Sequence, residues 1–202
     1  AACAKKGLDV AQVMAELDAV LASAGGRGDD PNAWELDALT SHIVRTHHTF
    51  VRDALPPLRQ HADKVARVHG ERHPEMVRVA EIVAAVEAEM TMHMHKEEAI
   101  LFPYIDELTR ARREHIHLDG SPFGTIENPI AMMIDEHESA GGAMAEASTL
   151  TAGYTPPEDA CMTYRVLLQE LAAFEKDLHH HVHLENNILF PKAATLEGQL
   201  VS

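Results

Sequence analysis

Residues 93–103 read HMHKEEAILFP and residues 181–191 read HVHLENNILFP. Seven of the eleven positions are identical, and Met94 and Val182 at the second position are both apolar. The offset of 88 residues is too long for a solenoid period. It points to two helix pairs related by duplication, in which the second and fourth helices carry equivalent surfaces. A chain built this way must bury both copies of the motif around one centre.

Helical signals fill the sequence around the repeat. Aromatic residues make up 4%, and no stretch alternates in the period of a half-buried strand. Leu8, Val13, Leu17, Val20 and Leu21 recur with helical spacing, and Gly25–Gly26 closes that segment. AGGRGDD reads as a linker, after which Asp30 caps a new helix with Pro31 at its first position. This helix carries Trp34, Leu36, Leu39, Ile43, Phe50, Val51 and Leu55. Pro56–Pro57 is expected to kink or break it, and Val65 and Val68 resume the pattern before Gly70. A second helix is predicted from Glu75 to at least Leu101, a third from Asn128–Pro129 to Leu150, and a fourth from Thr155–Pro156–Pro157 to Phe190. Residues 110–127, polar and broken by Gly and Pro, read as a long connection. The predicted fold is all-α: an up-and-down four-helix bundle over residues 30–202, preceded by a short N-terminal helix in residues 1–29.

Charge narrows the partners. Lys and Arg number 17 against 32 Asp and Glu, a net charge of −15. That argues against nucleic acid or an anionic membrane surface. Apolar runs such as Ile82–Val86 stop at five residues, where a spanning helix needs ~20 and a secretory leader at least ~7. Cys3 and Cys161 make neither a disulfide framework nor a metal knuckle, so a reducing cytoplasmic setting is expected.

The 15 histidines are placed rather than scattered. His93 and Glu97 are four residues apart, as are His181 and Glu185, so each pair projects from one helix face. One turn earlier stand Glu89 and Asp177. The first and third helices offer His47 and His137, 90 residues apart and each preceded by apolar pairs, Ile43–Val44 and Met133–Ile134. Four imidazoles and two carboxylates then converge on one centre. Unpaired, they would be costly in a bundle core; a bound metal removes that cost. The set suits two iron or manganese ions, because carboxylates bridge and imidazoles complete each shell. Closed zinc sites favour four ligands and often thiolate. A ferritin-like site needs paired Glu-x-x-His motifs, and the match found, Glu114-x-x-His117, lies in the polar connection. His95 and His183 are expected to point away from the site, His48 to lie to one side, and His179 and His180 to face solvent or support the ligands. His42, His61, His69, His73, His115 and His117 read as surface. The two Ile-Leu-Phe-Pro segments read as core packing and helix termination.

These residues resemble the hemerythrin-like di-iron domain, most closely the repair-of-iron-centres family of iron–sulfur cluster repair di-iron proteins. The resemblance rests on Lys96-Glu97-Glu98 with Leu101-Phe102-Pro103, on Leu184-Glu185-Asn186-Asn187 with Leu189-Phe190-Pro191, on Glu136-His137-Glu138-Ser139-Ala140-Gly141, and on Thr155 to Cys161. It implies iron ligation by His47, His93, Glu97, His137, His181 and Glu185, with the two glutamates bridging two irons beside an oxo or hydroxo group. It further implies that Glu89 and Glu136 line access to open iron positions. Oxygen-carrying hemerythrins use an additional histidine ligand that has no counterpart here. Family members carry an N-terminal domain with an adjacent Cys-Cys pair, of which residues 1–29 match only the last helix. The function implied is repair of iron–sulfur clusters damaged by nitric oxide or oxidative stress, by iron donation or by nitric oxide binding and reduction. Apo or damaged iron–sulfur proteins would be the partners and nitric oxide or dioxygen the small ligand, and a homodimer stays open. An oxygen or nitric oxide carrier or sensor without turnover, and a plain metal store, are the competing readings.

Overall fold

The computed structural model describes residues 30–201. The helix expected over residues 8–22, and Cys3, lie outside the described residues. The chain divides into two units, residues 1–34 and 35–202. In the first unit, Asp30 accepts a hydrogen bond from the Asn32 N–H at 3.0 Å and Pro31 opens the turn, as the capping pattern predicts, but the turn Pro31–Ala33 is a 3₁₀ helix that ends at Trp34.

The second unit is built from four long rods. The first joins α1 (Leu36–Ile43) to α2 (Thr49–His69) through a π-helical turn, Val44–His48. The second joins α3 (Glu75–Lys96) to α4 (Phe102–Glu114) through a π turn, Glu97–Leu101. The third is α5 (Glu127–Leu150) alone, and the fourth joins α6 (Met162–Leu184) to α7 (Phe190–Leu200) through a π turn, Glu185–Leu189. Each rod packs against the next, and the fourth returns to the first through α6 on α2. This is the expected up-and-down four-helix bundle. Its core is the apolar stripe of each rod, including Leu55, Leu58, Val79, Val83, Met90, Met144, Leu171 and Phe174, all buried. None of its helices is long and apolar enough to cross a membrane.

Two expectations about proline are corrected. Pro56 and Pro57 sit inside an unbroken α2. Each denies a hydrogen bond to a carbonyl four residues back, those of Arg52 and Asp53. Both prolines and both of those residues are on the exposed face, where water can serve the carbonyls, while Leu55 and Leu58 anchor the same stretch in the core. The Ile-Leu-Phe-Pro segments do not terminate their helices. In each, a π turn comes first: the Phe102 N–H reaches the Glu97 carbonyl and the Phe190 N–H reaches that of Glu185, five residues back. Pro103 and Pro191 then stand in the first turn of α4 and α7, where a missing N–H costs least. The repeat is thus a repeat of irregular backbone as well as of side chains.

Glu197 ties three of these elements together. Its buried carboxylate accepts from the Tyr104 hydroxyl of α4 at 2.8 Å, the Thr125 hydroxyl at 3.0 Å and the Ile126 N–H at the head of α5 at 2.9 Å. Burial pushes its pKa up, but these donors outweigh burial and hold it below the ordinary glutamate value. Glu197→Ala is expected to cost about 1–3 kcal/mol, because buried donors are left unmatched. With the folded pKa depressed, the contribution is complete above the unfolded value and is lost as pH falls through the folded one. Urea melts of the wild type and Glu197→Gln should therefore differ most near neutral pH and converge in acid; a gap that is constant with pH would reject this assignment.

Candidate metal centre

The three π turns lie where the candidate ligands are. A π turn widens the helix and is frequent at functional sites. In the second rod His93 sits one turn before the π turn and Glu97 opens it; in the fourth, His181 and Glu185 occupy the same two places. His93, Glu97, His137, His181 and Glu185 are all buried and converge between the rods. His48 joins them from the first rod.

Two groups of donors result. His48, Glu97, His181 and Glu185 form one, and His93, Glu97, His137 and Glu185 the other. Both carboxylates belong to both groups. Glu97 Oε2 lies 3.2 Å from His48 Nε2 and 3.2 Å from His93 Nε2. Glu185 presents Oε1 to His181 Nε2 at 3.0 Å and Oε2 to His137 Nε2 at 3.0 Å. His93 Nε2 and His137 Nε2 face each other at 3.1 Å.

His47 is expected from its spacing to be the ligand of the first rod, yet His48 is the residue the structure brings into these groups. The π turn is the reason. In an α-helix the position four residues after buried Ile43 shares its face; that position is His47. Here the Thr49 N–H bonds the Val44 carbonyl, five residues back, and the extra residue rotates His48 onto the inner face. His47 remains buried, but beside the groups rather than in them. Its Nδ1 is 2.9 Å from Asp177 Oδ1 and its ring stacks on that of His181.

The outer ring nitrogens explain why the Nε2 atoms face inward. His48 Nδ1 is 2.6 Å from Glu98 Oε1, which also accepts from Arg52. His137 Nδ1 is 2.9 Å from Asn186 Oδ1, and His93 Nδ1 is 2.9 Å from Glu136 Oε2. Such partners set the tautomer and aim the other nitrogen. Glu98 and Asn186 hold equivalent repeat positions, each reaching the histidine of the preceding rod. Neither was picked out from spacing, though the KEE and ENN triplets carried the signal. Glu136, implied to line access, also pairs with Lys96. Glu89 is exposed, accepts from the Ser139 hydroxyl at 3.2 Å, and borders with Glu136, Met92 and Ala88 a depression of 310 Å³.

The other histidines divide as the helical faces predict, with few exceptions. His95 and His183 are exposed. His61 pairs with Glu170, and His73 bridges Glu75 and Asp159. His69 Nε2 lies 3.1 Å from the Sγ of exposed Cys161, at the other end of α2.

Buried and unmatched polar atoms test whether this donor set suits cations. Both oxygens of Glu97, Glu185 Oε2 and His48 Nε2 lack a hydrogen-bond partner although nitrogens and oxygens stand 3.0–3.2 Å apart. Imidazole nitrogens and carboxylate oxygens crowd together there with several of them unmatched, as they do around a cation. The electrostatics agree. Burial lowers the His93 pKa, but Glu97, Glu185 and Glu136 outweigh it and raise the value to about 9. Burial raises Glu185, yet His181 and His137 hold it well below the usual carboxylate range. Positive charge is favoured at this point, whether a proton or a metal supplies it.

A four-helix bundle with two buried His/Glu groups that share both carboxylates defines a cation-binding protein with room for two metals. The hemerythrin HHE cation binding domain matches residues 39–193, and the chain belongs to that family. Relatives named iron–sulfur cluster repair protein YtfE, from Yersinia pseudotuberculosis serotype IB (strain PB1/+) and Yersinia pestis (strain Pestoides F), are 36% identical over 189 residues. The match covers 94% of this chain and 79% of each relative.

Proposed function

We propose that this protein repairs iron–sulfur clusters damaged by nitric oxide or oxidative stress, in the cytoplasm, with two iron ions joined by an oxo or hydroxo bridge as its resident cofactor. The observation that carries the reading is the sharing of Glu97 and Glu185 by both donor groups. The relatives' names point the same way. His48, His93, Glu97, His137, His181 and Glu185 would hold the metals. When bound, the pair supplies a redox-active centre with positions left for nitric oxide or dioxygen. Imidazole and carboxylate donors without thiolate hold iron in a form that acid can displace, which suits a donor to damaged clusters.

The surrounding residues divide the remaining work. Glu98, Asn186 and Glu136 hold three imidazoles in the tautomer that presents Nε2 inward. Glu97 and Glu185 balance the charge of the cations in a pocket closed to water. Glu89 and Glu136 border the same depression, and Glu136 meets His93 Nδ1; the two would pass protons between solvent and the pocket. Damaged iron–sulfur proteins are the clients.

The test is anaerobic. The iron-loaded chain is mixed with a four-iron cluster protein first bleached by nitric oxide, and cluster absorbance is followed. Recovery with the loaded chain and none with the metal-free chain is expected. Equal recovery with both, or purification with one firmly held zinc, would overturn the proposal; a stable reversible dioxygen adduct without recovery would indicate a carrier instead.

A further inference from the structure

The two halves of the pocket are not alike at their outer edges, and the difference falls on residues related by the repeat. Glu136 precedes His137 in the third rod; the residue preceding His48 in the first rod is His47. Glu89 stands four residues before His93, and Asp177 four before His181. On the His93 side the outer pair is therefore Glu89 and Glu136. On the His181 side it is Asp177 and His47, and two further imidazoles surround them. The His47 ring meets that of His180 edge-on with centroids 5.1 Å apart, and that of His42 at 5.9 Å.

His47 is the informative member. It is 1% exposed, its Nδ1 is taken by Asp177, and its Nε2 is buried without a hydrogen-bond partner. Asp177 Oδ2 is likewise buried and unmatched. An orphaned imidazole nitrogen in a core is costly, and neither the two donor groups nor the packing accounts for this one. Its ring lies parallel to that of His181, with centroids 5.5 Å apart, so the His47 imidazole sits beside the pocket. His180 is exposed and His42 is partly so, which places the cluster between solvent and His181. Three imidazoles and one carboxylate are a donor set for a divalent first-row cation. They are spaced more loosely than the central groups, with the outer two rings at the surface where they can turn.

We propose that His42, His47, Asp177 and His180 form a transit site that takes a divalent cation, ferrous iron in the working protein, from solvent and passes it to and from the pocket beside His181. The proposal rests on the pocket's being a metal site, and it assigns the two sides different tasks. The carboxylate side, at Glu89 and Glu136, serves protons; the imidazole side serves metal.

Cobalt(II) is the probe, because imidazole ligation colours it. Metal-free chain is mixed with cobalt(II) in a stopped-flow spectrometer and its visible bands are followed. Two phases are expected, a fast one from the transit site and a slower one from the pocket. His42→Ala/His180→Ala, altered only outside the core, should lose the fast phase and fill the pocket at least tenfold more slowly, with unchanged final uptake. Asp177→Asn should slow filling in the same direction. Glu89→Gln should keep both phases. A fast phase that survives in the double histidine variant, or equal slowing by Glu89→Gln, overturns the proposal. Failure of cluster repair would leave these cobalt phases standing, so the two readings fail separately.

Discussion

Glu185→Ala is expected to remove both metals from the protein rather than one. Iron per chain should fall from about two to near none, since each ion would lose a ligand and the charge that balances it. Glu97→Ala should do the same. The reasoning is geometric: each glutamate stands between two imidazoles on different rods, at 3.0–3.2 Å from both, and each belongs to both donor groups. A carboxylate serving one metal would leave the second in place. Stability should fall with metal content. Ligand binding to the folded state alone stabilises it by mass action, and deleting one partner of a buried charged pair costs about 3–5 kcal/mol by itself. Glu185→Gln separates the two effects, because it keeps volume while discarding the charge; it should fold without metal and melt somewhat below the metal-free wild type, since the carboxylate that His181 and His137 hold ionised is gone. His95→Ala is the control, with both metals retained, since His95 is exposed on the far face. Metal analysis beside thermal melts decides the matter: a Glu185→Ala chain that still holds two irons would exclude shared carboxylates.

Much of this arrangement was legible because it is written twice. The i, i+4 pairs His93–Glu97 and His181–Glu185 report a helical face directly, and the 88-residue repeat says that two such faces meet. His137 followed from its place in the third rod, which is regular α-helix throughout. What spacing could not report was the phase of the backbone. Helical-face reasoning assumes i→i+4 hydrogen bonding, and three of the four rods depart from it beside the candidate ligands. In the second and fourth rods the departure begins only at the glutamate of each pair, so the structure brings both pairs together as the spacing predicts, and the misreading fell on the prolines, which looked like terminators. In the first rod the departure spans Val44–His48, and it is His48, one residue beyond the position spacing selects, that reaches the donor groups. Orienting groups such as Glu98 and Asn186 were hidden for another reason. They act on histidines 50 and 49 residues away in sequence, and only tertiary packing makes those pairs neighbours.

The first rod therefore supplies the sharpest remaining test. His48→Ala is expected to cost the metal held with His181 and to lower iron content to about one per chain or less, whereas His47→Ala should leave final iron content at about two. Both histidines are buried, at 0% and 1% exposure, so loss of bulk is comparable and burial cannot explain a difference between them. What differs is the face. His48 Nε2 is 3.2 Å from Glu97 Oε2, and its Nδ1 is held by Glu98; the His47 ring is instead turned to Asp177, His42 and His180. Glu98→Ala should mimic His48→Ala weakly, raising the rate at which a chelator strips iron by about 10–100-fold, the usual effect of releasing an imbedded imidazole from its orienting partner. Glu98→Gln should recover much of this loss, because an amide oxygen can still accept from Nδ1. If His47→Ala instead empties the site and His48→Ala spares it, the Val44–His48 turn must unwind to a regular α-helix when metal binds, returning His47 to the inner face.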